Sequence, residues 1–171
     1  MADQIVLHCT GGIAEITINR PEKLNAMTPA MIVSLARIAA DIDRDEAIKV
    51  VLLRGEGDRA FCAGTDLASL SGYSDAWAYR SRLEHAAVVR AIRKPVVAAV
   101  KGWVLGGGLE MALSADLRVA GVGATFAAPE VTRGWVGGGG ASQLLPRLIG
   151  YGQAMRLLLT GERIDANEAK S

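Results

Sequence analysis

Cysteine and histidine are scarce in this sequence, and their scarcity argues against several kinds of site. The 171 residues include two cysteines, Cys9 and Cys62, and two histidines, His8 and His85. The cysteines are far apart and neither forms a C-x-x-C pair, so a disulfide scaffold or a zinc site is not expected. No G-x-S-x-G elbow is present, and we interpret the histidines as surface or packing residues and Cys62 as a small buried hydrophobe. We expect no metal ion and a reducing, cytoplasmic compartment.

The sequence also lacks a long apolar run and an excess of charge of either sign. Glycine or charged residues interrupt every apolar run before it reaches the length of a transmembrane helix. The formal net charge is +1, and the charged residues are interspersed, which gives neither a basic stripe for nucleic acid nor a polybasic membrane segment. The first residues resemble neither a secretory signal nor a transit peptide. The expected partner is a small molecule or another protein.

What the sequence does contain is an alternation of strand and helix patterns with glycine at the junctions. Half of the residues are hydrophobic, and we expect one globular domain over residues 1–171. The alternation predicts an α/β fold. Predicted strands cover 5–9, 14–19, 48–53, 96–100 and 117–120, and a short extended piece is expected at 125–127. Predicted helices cover 29–43, 76–92, 106–113, 140–148 and 151–159, and a last helix is expected to begin at 164.

Two glutamates, Glu110 and Glu130, are the most informative residues of the chain. Glu110 follows a run of three glycines and Glu130 follows a proline, within a stretch otherwise rich in small apolar residues. A desolvated carboxylate can have a raised pKa and so exchange protons near neutral pH. From their spacing alone, two partly exposed residues without a chemical role are an equally good interpretation.

Two glycine loops, 63–66 and 105–108, could present backbone N–H groups that no side chain covers. If they meet in the fold, one N–H group from each would form an oxyanion hole, which stabilises negative charge on a carbonyl oxygen. The second loop is predicted to open a helix, whose N-terminal partial charge adds to the effect. Close packing of helices against strands is the alternative interpretation of these glycines. A loop that binds a nucleotide phosphate has little support, because the G-x-x-x-x-G-K-[ST] pattern is absent.

Four segments together resemble the enoyl-CoA hydratase/isomerase family, also called crotonases. They are INRPEKLNA at 18–26, AFCAGTDL at 60–67, KPVVAAV at 94–100 and the glycine-rich block 106–140. Their order and spacing cover nearly the whole chain. The resemblance implies a crotonase-like spiral of ββα repeats with two nearly perpendicular sheets, assembled as a homotrimer or hexamer.

The same resemblance implies an acyl-CoA thioester as substrate, with coenzyme A as part of the substrate and no separate cofactor. Glu110 and Glu130 match the two catalytic glutamates of hydratases. The backbone N–H groups of Thr65 and Gly107 match the oxyanion donors. The substrate-binding positions that it implies are Lys23, Leu24, Ala26, Ala63, Gly64, Asp66, Leu67, Trp103, Leu105 and Gly106.

The presence of both glutamates favours a hydratase, which adds water across the Cα=Cβ bond of a 2-enoyl-CoA. A Δ3,Δ2-enoyl-CoA isomerase, which generally keeps only the glutamate matching Glu130, and a non-catalytic acyl-CoA-binding protein are the alternatives. A glycosidase built on two carboxylates is a more distant one. Segment 131–140 departs from the family's usual pattern, and Trp135 is expected to narrow the acyl pocket. Family members continue into further helices beyond the position of Ser171, so we expect a truncated chain.

Overall fold

The strands form two sheets in the computed structural model, which describes residues 4–170. The five-stranded sheet contains β1 (Ile5–Thr10), β2 (Ile13–Ile18), β3 (Val50–Gly55), β5 (Val96–Val100) and β7 (Leu117–Ala120), in that spatial order. The four-stranded sheet contains β4 (Ala60–Cys62), β6 (Trp103–Leu105), β8 (Thr125–Ala127) and β9 (Ile164–Asp165).

The chain repeats one pattern three times as it moves between the sheets. β1 and β2 form an antiparallel hairpin, and β2, β3, β5 and β7 then run parallel to one another. Each of β3, β5 and β7 is followed after a short connection by a strand of the second sheet, where β4, β6 and β8 are also parallel. A helical segment precedes the next repeat. Because neighbouring parallel strands end at the same edge of a sheet, the segments after β4, β6 and β8 come together.

Seven α-helices connect or cover the strands of the described residues. They are α1 (Pro29–Arg44), α2 (Ala76–Arg80), α3 (His85–Ala91), α4 (Gly107–Ser114), α5 (Ala141–Ile149), α6 (Tyr151–Thr160) and α7 (Ala166–Lys170). The start of α1 follows from its sequence, because Pro29 occupies the first turn and Oγ1 of Thr28 accepts a hydrogen bond from the N–H of Met31 at 3.3 Å. None of these helices is both long and apolar enough to span a bilayer.

The hydrophobic core lies between α1, α3 and α4 and the sheets. Leu35 of α1, Leu53 of β3 and Met111 of α4 are almost completely buried in one contiguous cluster. Cys62 is also fully buried, as predicted, and burial raises the pKa of its thiol to about 12. It therefore behaves as a small apolar side chain. His8 lies on an exposed strand position, in agreement with a surface residue.

The α/β prediction is confirmed, and four elements need correction. The predicted helix 76–92 is two helices, because Glu84 ends the intervening turn and caps α3 by accepting a hydrogen bond from the N–H of Ala87 at 3.0 Å. β4 and β6 were not predicted, since three residues are too few to show an alternation. Ile164 does not begin a helix: it pairs with Phe126 as part of β9, and α7 starts at Ala166.

Candidate active site

A cavity of about 850 Å³ lies where the segments after β4, β6 and β8 meet. Its wall includes both predicted catalytic glutamates, both predicted oxyanion donors and most of the predicted substrate-binding residues. Leu24 and Trp103 do not line it. The carbonyl of Leu24 instead accepts a hydrogen bond from the N–H of Ala63 at 3.0 Å, and the Trp103 ring lies 4.9 Å from the guanidinium of Arg163.

The two glycine loops touch each other at the edge of this cavity. Gly64 has a φ of +96°, and a Cβ atom there would lie 3.0 Å from the backbone nitrogen of Gly107. Met27 pairs with the first loop by donating to the carbonyl of Gly64 and accepting from the N–H of Asp66, so it leaves the N–H of Thr65 unused. Gly107 is the first residue of α4, where an N–H group has no acceptor within the helix. Two adjacent loops therefore each offer one backbone donor.

Glu110 lies in the first turn of α4, with only 3% of its surface exposed. Its Oε1 accepts hydrogen bonds from the N–H groups of Gly139 at 2.9 Å and Ala141 at 3.1 Å. Burial raises the pKa of Glu110 from an ordinary 4.5 to about 7, against the opposing effect of these two hydrogen bonds. The charges of Glu84 and Glu130 add to the rise. Glu110 can thus gain and lose a proton near neutral pH.

Glu130 reaches the same cavity from the 3-10 turn Pro129–Arg133, which directly follows β8. Its side chain is half-buried, and burial raises the pKa of its carboxyl group. Gly106 makes room for it, because a Cβ atom at Gly106 would lie 3.0 Å from Oε1 of Glu130. The missing side chain at Gly106 therefore lets the carboxyl group of Glu130 approach the glycine loop before α4.

A sequence model of the enoyl-CoA hydratase/isomerase family matches residues 8–171. The chain belongs to this family. It is 36% identical over 170 residues to the short-chain-enoyl-CoA hydratase of Clostridium acetobutylicum. It is 37% identical, also over 170 residues, to the crotonyl-CoA hydratase of Syntrophomonas wolfei. Each match covers 98% of this chain but 65% of the relative.

The family's fold is confirmed by solved structures. The structure of an enoyl-CoA hydratase from Bacillus anthracis matches with a TM-score of 0.90 at 35% identity, over 98% of this chain and 67% of that one. A structure of an enoyl-CoA hydratase from Mycobacterium tuberculosis matches with a TM-score of 0.88 at 39% identity, and 65% of that chain is covered. The crotonase-like spiral expected from the resemblance is therefore the fold of this chain, which spans about two thirds of the length of its relatives.

The segment 131–140 supplies part of the site. Trp135 lines the cavity, with its ring 6.0 Å from the guanidinium of Arg133. The glycines that follow approach Glu110 closely: a Cβ atom on Gly137 would lie 2.9 Å from Oε1, and one on Gly139 would lie 2.8 Å from Cδ. The missing side chains at Gly137 and Gly139 leave room for the buried carboxyl group, which the N–H groups of Gly139 and Ala141 bind.

The acidic residues of this wall do not gather into a metal site. Asp66, a predicted substrate-binding residue, is paired with Arg20 and also accepts a hydrogen bond from the N–H of Ala68 at 2.8 Å. The hydrogen bond from Arg20 holds the pKa of Asp66 below its usual value. Among residues 4–170, no group of three His, Cys, Asp or Glu side chains is placed to bind a metal ion. Asp66 lines the cavity, but its carboxylate is engaged in holding the first glycine loop.

Glu84 and His85 also line the cavity, and the sequence pattern did not point to either. Glu84 approaches Glu110 through the glycine segment, since a Cβ atom on Gly139 would lie 3.0 Å from Cδ of Glu84. His85 is completely buried, and its ring lies against Gly107. Burial lowers the pKa of the His85 imidazole. Both residues lie between α2 and the first turn of α3, within the segment 76–92 that the sequence predicted to be one helix.

Proposed function

We propose that this protein is a hydratase that adds water reversibly across the Cα=Cβ bond of a 2-enoyl-CoA thioester. One observation carries the proposal: Glu110 and Glu130, both with raised pKa values, line the same cavity as two unused backbone N–H groups. Such a set can stabilise charge on a carbonyl oxygen and transfer protons beside it. The names of the relatives, short-chain-enoyl-CoA hydratase and crotonyl-CoA hydratase, support the same activity.

The two backbone donors act on the thioester oxygen. The thioester carbonyl is conjugated with the Cα=Cβ bond, so attack at Cβ moves negative charge onto that oxygen. The N–H groups of Thr65 and Gly107 would receive this charge without having to reorient, because the backbone of both loops is already fixed. Loss of one such donor typically costs about 3 to 4 kcal/mol of transition-state stabilisation.

The two glutamates transfer the protons of the added water. Ionised Glu110 takes a proton from the water as its oxygen forms a bond to Cβ, and protonated Glu130 gives its proton to Cα. Because the N–H groups of Gly139 and Ala141 both bind Oε1 of Glu110, Oε2 is the oxygen that is left to receive the proton. The product is a 3-hydroxyacyl-CoA, and proton exchange with solvent restores both carboxyl groups. The reverse sequence removes water.

Crotonyl-CoA tests the proposal, because hydration removes the absorbance of its conjugated thioester. We expect Glu110→Gln and Glu130→Gln each to lower kcat by about 100-fold or more, since each removes a proton-transfer group. Glu46→Gln, at an exposed turn outside the cavity, is the matched control and is expected to leave kcat unchanged. Unchanged rates in both site variants would contradict a hydratase. Binding of crotonyl-CoA without turnover by the wild type would instead indicate an acyl-CoA-binding protein.

A Δ3,Δ2-enoyl-CoA isomerase is the second candidate, and the surroundings of Glu110 are the observation that favours it. The two N–H groups that bind Oε1 anchor the segment 137–141, which is a structural role that needs no proton transfer. Glu130 alone would then move a proton between Cα and Cγ. In that case Glu130→Gln abolishes conversion of a 3-enoyl-CoA to the 2-enoyl-CoA, whereas Glu110→Gln retains it.

Coenzyme A recognition, assembly and location are parts of the same proposal. Lys23 and Ala26 line the cavity, and the ammonium group of Lys23 would attract the phosphates of coenzyme A. We expect a homotrimer or hexamer in the cytoplasm, with no cofactor besides the coenzyme A of the substrate. Light scattering on the purified protein tests the assembly, and a Lys23→Gln variant is expected to raise KM for crotonyl-CoA with little effect on kcat.

A further inference from the structure

We propose that Glu84 and His85 form a positioning pair that holds the Gly107 peptide in place as an oxyanion donor. The inference rests on the proposed function, because it concerns the same donor. In the proposed mechanism, Glu84 and His85 contact neither the thioester nor the reacting atoms, so they are positioning residues. The carboxylate of Glu84 lies against the imidazole of His85, and the imidazole lies against the backbone of Gly107.

The contact between His85 and Gly107 is unusually close. A Cβ atom built on Gly107 would overlap Nε2 of His85, and the three nearest atoms to that point all belong to the imidazole. The ring therefore occupies the space where any other residue at position 107 would place its side chain. Gly107 begins α4, so the ring presses on the one residue of the helix whose N–H group serves as a donor. Movement of the ring would tilt that peptide.

The contact between Glu84 and His85 fixes the other end of the ring. Nδ1 of His85 lies 3.1 Å from Oε1 of Glu84. The second carboxylate oxygen, Oε2, accepts the N–H of Ala87 and so ties Glu84 to the start of α3. The other ring nitrogen, Nε2, faces Gly107.

Packing alone does not explain why an imidazole, rather than an apolar side chain, occupies position 85. Neither ring nitrogen has a hydrogen-bond partner of good geometry within residues 4–170, and neither does Oε1 of Glu84. Buried polar atoms without such partners are rare and point to a role other than filling space. The charged groups that act on the ring are Glu84 and Arg82, both from its own segment. An apolar side chain would fill the same volume without these unpaired atoms.

The decisive experiment is a steric rescue between positions 85 and 107. Gly107→Ala alone is expected to lower kcat for crotonyl-CoA by about 100-fold, because the new methyl group pushes the peptide away from the ring. His85→Ala alone is expected to lower kcat by about 10-fold or more with KM nearly unchanged, since the peptide loses its support. The double variant is expected to be about 10-fold more active than Gly107→Ala, because the methyl group enters the vacated space.

Two further substitutions separate positioning from general destabilisation. His85→Gln places an amide near the position of Nε2, whereas His85→Asn reaches only the position of Nδ1, so Gln is expected to restore more of kcat than Asn. Val89→Ala opens a smaller cavity at another buried position, one turn further along α3, and is expected to leave kcat unchanged. Equal kcat for the Gln, Asn and Ala variants at His85 would overturn the inference, as would a double variant no more active than Gly107→Ala.

A spectroscopic signal distinguishes failure of the inference from failure of the proposed function. Acetoacetyl-CoA forms an enolate with its own near-ultraviolet absorbance, and an oxyanion hole favours that form. Wild type is expected to increase the enolate absorbance, and His85→Ala is expected to reduce the increase. If wild type neither hydrates crotonyl-CoA nor produces the enolate signal, the proposed function is wrong and the pair has no donor to position. If wild type does both and His85→Ala is unaffected, only the inference is wrong.

Discussion

The Glu110→Gln substitution is expected to change how the stability of this protein depends on pH. The buried carboxyl has a pKa of about 7 in the folded state against an ordinary value of 4.5. At about 1.36 kcal/mol for each tenfold change in proton affinity, this difference corresponds to about 3 kcal/mol. Because the folded state binds the proton more tightly than the unfolded state, ionisation of Glu110 lowers the free energy of unfolding. This loss of stability is absent well below pH 4.5, grows as pH rises, and is complete above pH 7.

Glutamine cannot ionise, so it removes this loss of stability, and it keeps an oxygen that can accept the two hydrogen bonds. Its carbonyl can accept the N–H groups of Gly139 and Ala141, as Oε1 of Glu110 does. The stability of Glu110→Gln relative to wild type should therefore rise by about 2 kcal/mol between about pH 5 and about pH 8. Groups that do not interact with Glu110 titrate alike in both proteins and cancel in this difference.

Urea denaturation at a series of pH values measures the effect. The difference in unfolding free energy between variant and wild type is the quantity of interest, and the exposed substitution Glu46→Gln supplies the flat baseline. If the difference in unfolding free energy between Glu110→Gln and wild type did not change with pH over this range, the reasoning would be refuted. That result would mean that Glu110 ionises in the folded protein as readily as an exposed carboxyl, and it would remove the main support for its role in proton exchange.

Three further substitutions test other parts of the site. Glu84→Gln removes a like charge near Glu110, so the acidic limb of the kcat/KM profile for crotonyl-CoA should move to lower pH; an unmoved limb would show that the charge has no influence there. Gly64→Ala strains a residue at a φ of +96° and crowds the opposite loop, and should lower kcat by about 100-fold in the same assay. Asp66→Ala leaves Arg20 without its carboxylate and should lower the unfolding free energy by about 1 to 3 kcal/mol in urea; no change would contradict a structural role for that pair.

The sequence predicted the large elements because their patterns are long. The core positions of α1 repeat at helical spacing over four turns, and Thr28 with Pro29 marks its start. The strands β3 and β5 are apolar runs that suit the centre of a parallel sheet. The glycine loops and the two glutamates were also visible, since a glycine triplet before a carboxylate is a local pattern.

Contacts between distant segments were not visible in the sequence. Twenty-one residues separate His85 from Gly107, and no periodicity connects them. The contact exists because α3 packs on α4, and that packing depends on the order of β4 and β6, which are too short to predict. The same limit applies to Asp66, which matches a substrate-binding position although its carboxylate is bound to Arg20, 46 residues away.

The segment 137–141 shows why the chemistry of Glu110 depends on residues that carry no chemical group. The N–H of Gly139 binds Oε1 of Glu110 and favours the ionised form, while its carbonyl accepts a hydrogen bond from Arg90. The missing side chain at Gly139 also lets the carboxyl of Glu84 approach, and that charge favours the protonated form of Glu110. Burial is the largest cause of the raised pKa of Glu110, and two smaller, opposing influences on that pKa meet at Gly139. Any side chain at position 139 would crowd both carboxyl groups, so it would change the hydrogen bond to Glu110 and the charge near Glu110 together.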